Sequence, residues 1–226
     1  MKNYTIAVGD LHGRYDLFIK ALASIKDYVG ENQVTIVFLG DYVDRGPQSA
    51  LILEALLKGP QETNQTWILL KGNHEVMMYD GLLEGVGSMW NGWLGNGGDL
   101  TIESYRELND DKSTTIPVSH MHLIETMKLF YEDNHRIYVH AWVQSDVKAE
   151  NTSADMLVWR RYHELDDWTY FDKFIVHGHT PYDEGPMIYK NRANFDTAAT
   201  WTGRLVLGVF DDQIPGGPID LIEVTE

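Results

Sequence analysis

Five short polar motifs contain most of the residues of this sequence that could perform metal-dependent chemistry. In chain order they are Asp10-Leu11-His12, Gly40-Asp41-Tyr42-Val43-Asp44-Arg45-Gly46, Gly72-Asn73-His74-Glu75, His140-Ala141 and Gly178-His179-Thr180-Pro181. They offer carboxylate, imidazole and amide groups, which bind divalent metal ions, and an arginine, which binds phosphate. Because the chain has no cysteine, a metal site in it can use only oxygen and imidazole donors. Each motif alone is weak evidence, and the prediction rests on the set and its order.

Each motif follows an apolar segment that is typical of a buried strand. The first three come after residues 5–8, 34–39 and 67–70, and the two histidine motifs come after the apolar segments that end near residues 140 and 177. In open α/β sheets, the loops beyond the carboxyl ends of the strands line one crevice. We therefore expect the five motifs to meet at one site.

The elements between the motifs indicate an α/β fold. Helical spacing of apolar residues over 17–25 and 50–57, and a helix from residue 75, alternate with the first three strands. This order predicts parallel strands at the centre of a sheet. The second half predicts strands at 136–140, 174–177, 192–196, 205–210 and 219–224, with a helix over 121–131. We expect one domain over residues 1–226, with a mixed helix and loop insertion around 82–120.

The composition excludes several classes of protein. A formal charge of −16 argues against a nucleic-acid partner, which needs a basic surface. No run of eighteen apolar residues is present, so no membrane partner is expected, and the N-terminus shows no signal-peptide pattern. With no cysteines, these features fit a cytoplasmic protein. An acidic chain that binds an anionic substrate must concentrate positive charge locally, in metal ions and a few basic side chains.

The ordered motifs resemble the phosphoprotein-phosphatase branch of the calcineurin-like metallophosphoesterases. The resemblance extends over residues 10–196 and includes the segments WLGNGGDLT at 93–101 and LVWRR at 157–161. Short bacterial and bacteriophage Ser/Thr protein phosphatases are the most similar type. The resemblance implies a four-layer sandwich of two mixed β-sheets flanked by helices. It also implies a phosphomonoesterase that acts on phosphorylated proteins or peptides, and on small phosphoesters, through in-line attack by a metal-bridging hydroxide.

The resemblance implies two divalent metal ions and assigns their ligands. One ion would be held by Asp10, His12 and Asp41. The other would be held by Asp41, Asn73, His140 and His179, with the Asp41 carboxylate bridging. Manganese is the usual ion in the bacterial members, and Fe, Zn, Ni or Co are compatible with the same donors. Two such ions can lower the pKa of a shared water and neutralise phosphoryl oxygens.

The same resemblance assigns the catalytic and phosphate-binding residues. His74 would protonate the leaving oxygen, with Asp44 orienting its imidazole. Arg45, Lys71 and Arg161 would bind phosphate oxygens. The family usually has an arginine at the position of Lys71, so this chain keeps the charge but loses the bidentate fork.

Other positions depart from the family pattern or leave a choice open. Arg161 fits the family's Trp-X-Arg pattern, and Arg160 remains its alternative for phosphate binding. Trp142 replaces a glycine after His140, and we expect it to line the cleft, although a core position is the alternative. Ala198 also replaces a glycine, which suggests a changed backbone conformation near the site. His177 is expected to be structural.

Two alternatives to a protein phosphatase remain open. A symmetric dinucleoside tetraphosphatase, or another nucleotide phosphohydrolase, would use the same metals. That symmetric branch tends to lack the second aspartate of the Gly-Asp block and to have aspartate after Asn-His, whereas this chain has Asp44 and Glu75. A noncatalytic metal-stabilised binding module is the remote alternative, and it would leave His74 and the phosphate-binding cations without a purpose.

Overall fold

The computed structural model describes residues 3–163, 166 and 168–226. Ten strands lie within the described ranges: β1 Asn3–Val8, β2 Gln33–Phe38, β3 Gln65–Leu69, β4 Phe130–Glu132, β5 Arg136–Val139, β6 Phe174–His177, β7 Met187–Ile188, β8 Arg192–Asn194, β9 Arg204–Asp211 and β10 Asp220–Thr225. The same residues contain the α-helices α1 Tyr15–Val29, α2 Ser49–Lys58, α3 Asn73–Glu84, α4 Ser88–Trp93, α5 Asp99–Leu108, α6 Val118–Thr126, α7 Ala154–Trp159 and α8 Ala199–Thr202. A π-helical turn at Leu94–Gly98 joins α4 to α5.

The strands form two five-stranded mixed sheets. The first has the order β10-β9-β1-β2-β3, and the second has the order β4-β5-β6-β8-β7. In the first sheet β1, β2 and β3 are parallel, with Ile6 opposite Ile36, and β9 joins β1 antiparallel. In the second sheet β5, β6 and β8 are parallel between antiparallel edge strands. Each sheet therefore has a parallel centre.

Alternation of side chains along the strands divides the core into three apolar layers. Ile6 and Val8 pack in the cluster that contains residues of α1 and α2, whereas Ala7 between them packs in a second cluster with residues of the other sheet. In β5, Tyr138 joins that middle cluster, and Ile137 packs in a third cluster on the far side. Since successive side chains point to opposite faces, two sheets with helices outside them give these three layers. The four-layer α/β fold expected from the sequence is confirmed.

The helix predicted over residues 121–131 is wrong in its second half. Helix α6 ends at Thr126, and residues 130–132 form the edge strand β4. The Lys128 N–H donates to the Leu69 carbonyl, and Phe130 pairs antiparallel with Val139. The apolar periodicity of this segment was compatible with either structure, and pairing with the sheet decides it.

Residues 82–120, expected to be a mixed insertion, include the end of α3, the helices α4 and α5, and the start of α6. Helix α4 packs on α3, and α5 packs on α2, so this segment lies against the helices that follow β2 and β3. None of the helices in the described ranges is both long and apolar enough to cross a membrane.

Candidate metal and phosphate site

The five motifs meet at the carboxyl ends of the parallel strands of both sheets. Asp10 follows β1, Asp41 follows β2 and Asn73 begins α3 after β3, whereas His140 and His179 follow β5 and β6. All five side chains are buried. The convergence predicted from the strand ends is therefore present in the structure.

Asp41 lies at the centre of the site and is shared by two groups of metal-binding side chains. One group is Asp41, His12 and His74, and the other is Asp41, His140 and His179. His12 Nε2 lies 3.6 Å from Asp41 Oδ2, and His140 Nε2 lies 3.4 Å from Asp41 Oδ1. The two carboxylate oxygens thus face opposite groups, as a bridging ligand requires. His74 falls in the first group although the sequence assigned it to catalysis, and its Nδ1 is bonded to Asp44.

Asp10 and Asn73 complete the set of residues expected to bind metal. Asp10 accepts the backbone N–H of His179 at 3.2 Å, which ties the first motif to the last. Asn73 Oδ1 lies 3.0 Å from His140 Nε2 and 2.9 Å from His179 Nδ1. The structure therefore brings all six of the predicted ligands together, while their roles remain predictions.

The hydrogen bonds of the histidines show that these residues fit metal ions. His140 Nδ1 donates to the Leu39 carbonyl, so a neutral ring turns the lone pair of Nε2 toward the oxygens of Asp41 and Asn73. His12 Nδ1 donates to the Val43 carbonyl, which leaves its Nε2 as an acceptor too. Lone pairs that face one another in a buried pocket need a cation between them or a proton.

The electrostatics of the site also favour cations. Burial by itself lowers the pKa of His140, but the attraction of the Asp41 and Asp10 carboxylates raises it to about 10. Burial, together with the carboxylate of Asp196, raises the pKa of Asp10 well above its usual value. This buried cluster of negative charge is stabilised by positive charge, which divalent ions supply.

The local backbone is held in conformations that most residues avoid. His12, Asp41, Asp44, Arg45 and His179 have φ angles of 41°, 54°, 71°, 64° and 68°. A non-glycine residue with left-handed φ is strained, and such strain is maintained where surrounding contacts determine the conformation. The strain lies at the residues whose side chains form the site.

Glu75 provides the contacts that hold two of these loops. Its carboxylate accepts the backbone N–H groups of Asp41 and Tyr42, both at 2.8 Å, of Gly72 at 2.9 Å and of Val43 at 3.3 Å. Burial, together with the nearby Asp41 carboxylate, raises the pKa of Glu75 to about 7. The sequence treated Glu75 only as a marker of subfamily, whereas the structure shows that it positions Asp41.

The buried Asp44 carboxylate forms hydrogen bonds with the side chains of His74, Trp93 and Thr101. Its Oδ2 lies 2.7 Å from His74 Nδ1, and Trp93 Nε1 donates to Oδ1 at 2.9 Å and to Oδ2 at 3.1 Å. Thr101 Oγ1 donates to Oδ1 at 2.7 Å. Trp93 and Thr101 are the first and last residues of the segment WLGNGGDLT, so this segment fixes the carboxylate that orients His74. The glycines and polar residues of the segment mark it in the sequence, but they do not predict its contact with Asp44.

Arg45 connects the two histidines of the first group. Its Nη1 donates to His12 Nε2 at 2.9 Å, and its Nη2 donates to His74 Nε2 at 2.8 Å. His74 is then a neutral ring with its proton on Nδ1, beside Asp44. The guanidinium lies at the position where it can reach phosphate oxygens next to the metal ligands.

A cavity of about 330 Å³ opens over the site. It is lined by Asp41, Arg45, Asn73, Asn96, Trp159, Arg161, His179, Pro181 and Trp201. Two of the three cations predicted to bind phosphate, Arg45 and Arg161, therefore face the same cavity. Arg160, the alternative to Arg161, stacks its guanidinium 4.2 Å from the ring centre of Trp142.

Two residues predicted to lie at the site are not among those that line the cavity. The half-buried ammonium of Lys71 donates to the Glu125 carbonyl at 3.2 Å, and phosphate binding by Lys71 stays a prediction. Trp142 is buried against Tyr162, Trp168 and Arg160 and forms part of the core beside His140, so it does not line the cleft either.

The sequence also made predictions for Ala198 and His177, which lie near the site. Ala198 has φ 53° and ψ 44°, a left-handed conformation that glycine adopts readily and an alanine adopts only with strain. His177 is buried against Tyr162, with ring centres 4.7 Å apart, and burial lowers its pKa to about 3. It lies outside the two metal-binding groups of the described residues, as expected for a structural histidine.

A family model, calcineurin-like phosphoesterase, matches residues 5–201. The chain belongs to the calcineurin-like phosphoesterases, a family of dinuclear metal-dependent enzymes, and it is a phosphoester hydrolase.

Curated relatives differ in how much of the chain they match. The asymmetrical bis(5'-nucleosyl)-tetraphosphatase PrpE of Anoxybacillus flavithermus is 27% identical over 223 residues, which are 88% of this chain and 86% of the relative. Serine/threonine-protein phosphatase 2 of Escherichia coli is 35% identical over 106 residues, but these cover 46% of this chain and 41% of the relative. The cold-active protein-tyrosine phosphatase of a psychrophilic Shewanella superposes with a TM-score of 0.65 at 17% identity, covering 100% of this chain and 78% of the other. That last similarity supports the fold alone.

Proposed function

We propose that this protein hydrolyses dinucleoside polyphosphates, with asymmetrical cleavage of a dinucleoside tetraphosphate. Relatives that align over most of the chain carry that name, whereas the protein-phosphatase relative aligns over less than half. The protein phosphatase expected from the sequence is thus not confirmed, and the nucleotide alternative fits better. The contrast drawn from Asp44 and Glu75 concerns symmetric enzymes, so it does not weigh against asymmetrical hydrolysis.

Two exposed indoles at the phosphate cavity are the observation that carries this proposal. Trp201 is 69% exposed and Trp159 is 43% exposed, and both line the cavity that contains Arg45 and Arg161. An exposed indole beside a cationic phosphate site presents a flat surface on which a nucleobase can stack. The backbone of Trp159 is tied to the metal-binding residues, because its carbonyl accepts from His179 Nε2 at 3.0 Å.

The contacts of the site support the following roles for the side chains around the reacting phosphate. Arg45 and Arg161 bind its oxygens and orient it, because each guanidinium offers a planar pair of donors. Asp41 and the side chains grouped around it would hold two divalent ions, which when bound would activate water and neutralise charge on the phosphoryl oxygens. The Nε2 of His74 carries no proton while it accepts from Arg45, so the ring must first take up a proton there from water; it then donates this proton to the leaving oxygen, and the Asp44 carboxylate stabilises the ring while it is charged. Arg45 must release His74 Nε2 for this step.

A comparison of three substrates with manganese-loaded protein tests the proposal. We expect kcat/KM for diadenosine tetraphosphate to exceed that for a phosphoserine peptide and for p-nitrophenyl phosphate by about a hundredfold or more. Chromatography of the products should show AMP and ATP in equal amounts. Two molecules of ADP would indicate symmetric cleavage, and a preference for the phosphopeptide would overturn the proposal.

A protein phosphatase is the second candidate. The observation that favours it is the 35% identity to the Escherichia coli serine/threonine phosphatase over 106 residues. It predicts the reverse order of kcat/KM, with the phosphopeptide first, so the same experiment separates the two.

A further inference from the structure

A second cavity adjoins the phosphate cavity. It has a volume of about 250 Å³ and is lined by Val76, Met77, Asp80, Met89, Gly92, Trp93, Asn96, Asp155 and Trp159. Asn96 and Trp159 line both cavities. The two cavities therefore meet at these two side chains, and a ligand that occupies both must pass them.

The two cavities differ in charge. Arg45 and Arg161 line the phosphate cavity together with the metal ligands. The charged residues that line the second cavity are Asp80 and Asp155, both acidic. Carboxylates repel phosphate oxygens, so a polyphosphate chain is favoured in the first cavity and disfavoured in the second. The second cavity thus suits a part of the ligand without negative charge.

The second cavity presents apolar and aromatic surface to such a group. Met77 and Met89 offer flexible thioether side chains, which make favourable contacts with flat aromatic rings. Trp159, which is 43% exposed, adds indole surface, and the two carboxylates can accept hydrogen bonds from an exocyclic amine. An aminated purine or pyrimidine base has this combination of a flat apolar face and an amine edge.

The lining is fixed by the same contacts that build the phosphate site. Trp93 is buried, and its Nε1 donates to Asp44, so its ring cannot turn without losing that bond. Trp159 is tied to His179 through its carbonyl. A binding surface that is already ordered loses little conformational freedom when the ligand binds.

We propose that the second cavity binds the distal nucleobase of a dinucleoside polyphosphate whose phosphate chain lies in the first cavity. The inference rests on the proposed function and makes it more specific, since it assigns the two halves of the substrate to two adjacent cavities. The nucleoside that enters the second cavity contributes to binding but does not touch the reacting phosphate.

Adenosine 5'-tetraphosphate is the matched probe, because it has the same phosphate chain as diadenosine tetraphosphate but lacks the second nucleoside. We expect Met89→Ser to lower the ratio of kcat/KM for diadenosine tetraphosphate to that for adenosine 5'-tetraphosphate about tenfold. Val86→Ser is the control, since Val86 is in the same region, is 94% exposed and lines neither cavity. The control variant should leave the ratio within about twofold of the parent protein.

The outcomes separate the inference from the proposed function. If the parent protein cleaves diadenosine tetraphosphate well but Met89→Ser leaves the ratio unchanged, the nucleobase assignment is overturned and the proposed function stands. The assignment also fails if Met89→Ser lowers both rates equally, or lowers only the rate on a phosphopeptide. If the parent protein cleaves no dinucleotide but cleaves p-nitrophenyl phosphate, the proposed function fails first and the assignment fails with it.

Discussion

His74 Nδ1 and Asp44 Oδ2 lie 2.7 Å apart in the interior of the protein, and both side chains are buried. The short distance places the proton on Nδ1 and leaves Nε2 as the acceptor of a bond from Arg45, which lines the cavity. The same carboxylate accepts from Trp93 and Thr101. The orientation of His74 therefore depends on residues far from it in sequence.

Trp93→Phe tests this support of Asp44. The phenylalanine keeps an aromatic ring in the core but removes the N–H that bonds to both carboxylate oxygens. We expect kcat on a poor leaving group to fall about tenfold, because a less fixed Asp44 orients His74 less well. Trp90→Phe is the control, since Trp90 packs against Trp93 with ring centres 5.4 Å apart and has no bond to Asp44 among those described. An equal loss in the two variants would show that packing, and not the hydrogen bond, is responsible.

Glu75→Gln tests the role of Glu75 in positioning Asp41. Glutamine keeps one acceptor oxygen, but its amide NH₂ then faces backbone N–H groups that the second oxygen accepted. Leaving such buried donors unpaired costs about 1–3 kcal/mol in the free energy of unfolding. Urea denaturation with and without Mn²⁺ measures this loss, and metal affinity should fall as well. Asp27→Asn, on the surface of α1, is the control and should change neither quantity. Unchanged stability and metal affinity in Glu75→Gln would contradict the positioning role.

Arg161→Ala and Arg160→Ala separate two adjacent cations. Arg161 lines the phosphate cavity, so its loss should lower kcat/KM by about 10²-fold or more. Arg160 stacks on Trp142, so its loss should lower stability by about 1 kcal/mol and leave kcat/KM nearly unchanged. Steady-state kinetics and thermal denaturation of both variants provide the measurement. The reverse result would assign phosphate binding to Arg160.

Ala198→Gly tests the strain at the start of α8. Ala198 adopts φ 53°, a left-handed conformation that costs an L-residue about 1–2 kcal/mol and costs glycine little. We therefore expect the variant to be more stable by up to about 1 kcal/mol, after the greater freedom of glycine in the unfolded chain is counted. Ala199→Gly is the matched control, because Ala199 is helical and should lose about 0.5–1 kcal/mol. Destabilisation of similar size in both variants would show that Ala198 is not strained.

The sequence predicted the convergence of the motifs because the ends of the strands determine where the motifs lie. This prediction needs no information about side-chain contacts. Asp10, Asp41, Asn73, His140 and His179 each follow a buried strand, so the topology of two sheets with parallel centres is sufficient to bring them together. The positions of Lys71 and Trp142 depended instead on rotamers and neighbours. Lys71 bonds to a carbonyl at the end of α6, and Trp142 packs against the rings of Tyr162 and Trp168. Neither partner can be derived from local sequence.

The contacts of Trp93 and Thr101 with Asp44 span 49 and 57 residues. They depend on how α4 packs on α3 and how α5 packs on α2. The periodicity of apolar residues identifies helices but does not show how they pack. The segment 93–101 could therefore be recognised in the sequence, but its contacts with Asp44 could not be predicted. The end of α6 shows the same limit, because Lys128 joins the sheet through backbone bonds that no side-chain pattern records.

Metal stoichiometry tests the central claim, that Asp41 is the ligand shared by a pair of metal ions. Protein stripped with a chelator is titrated with Mn²⁺ by calorimetry, and the bound metal is counted by elemental analysis after gel filtration. The parent chain should bind two ions, and Asp44→Asn should also bind two, because Asp44 bonds to His74 and lies outside both groups. Asp41→Ala should bind at most one ion, and more weakly. Two ions bound to Asp41→Ala with the affinity of the parent protein, or fewer than two bound to the parent at saturation, would contradict the account.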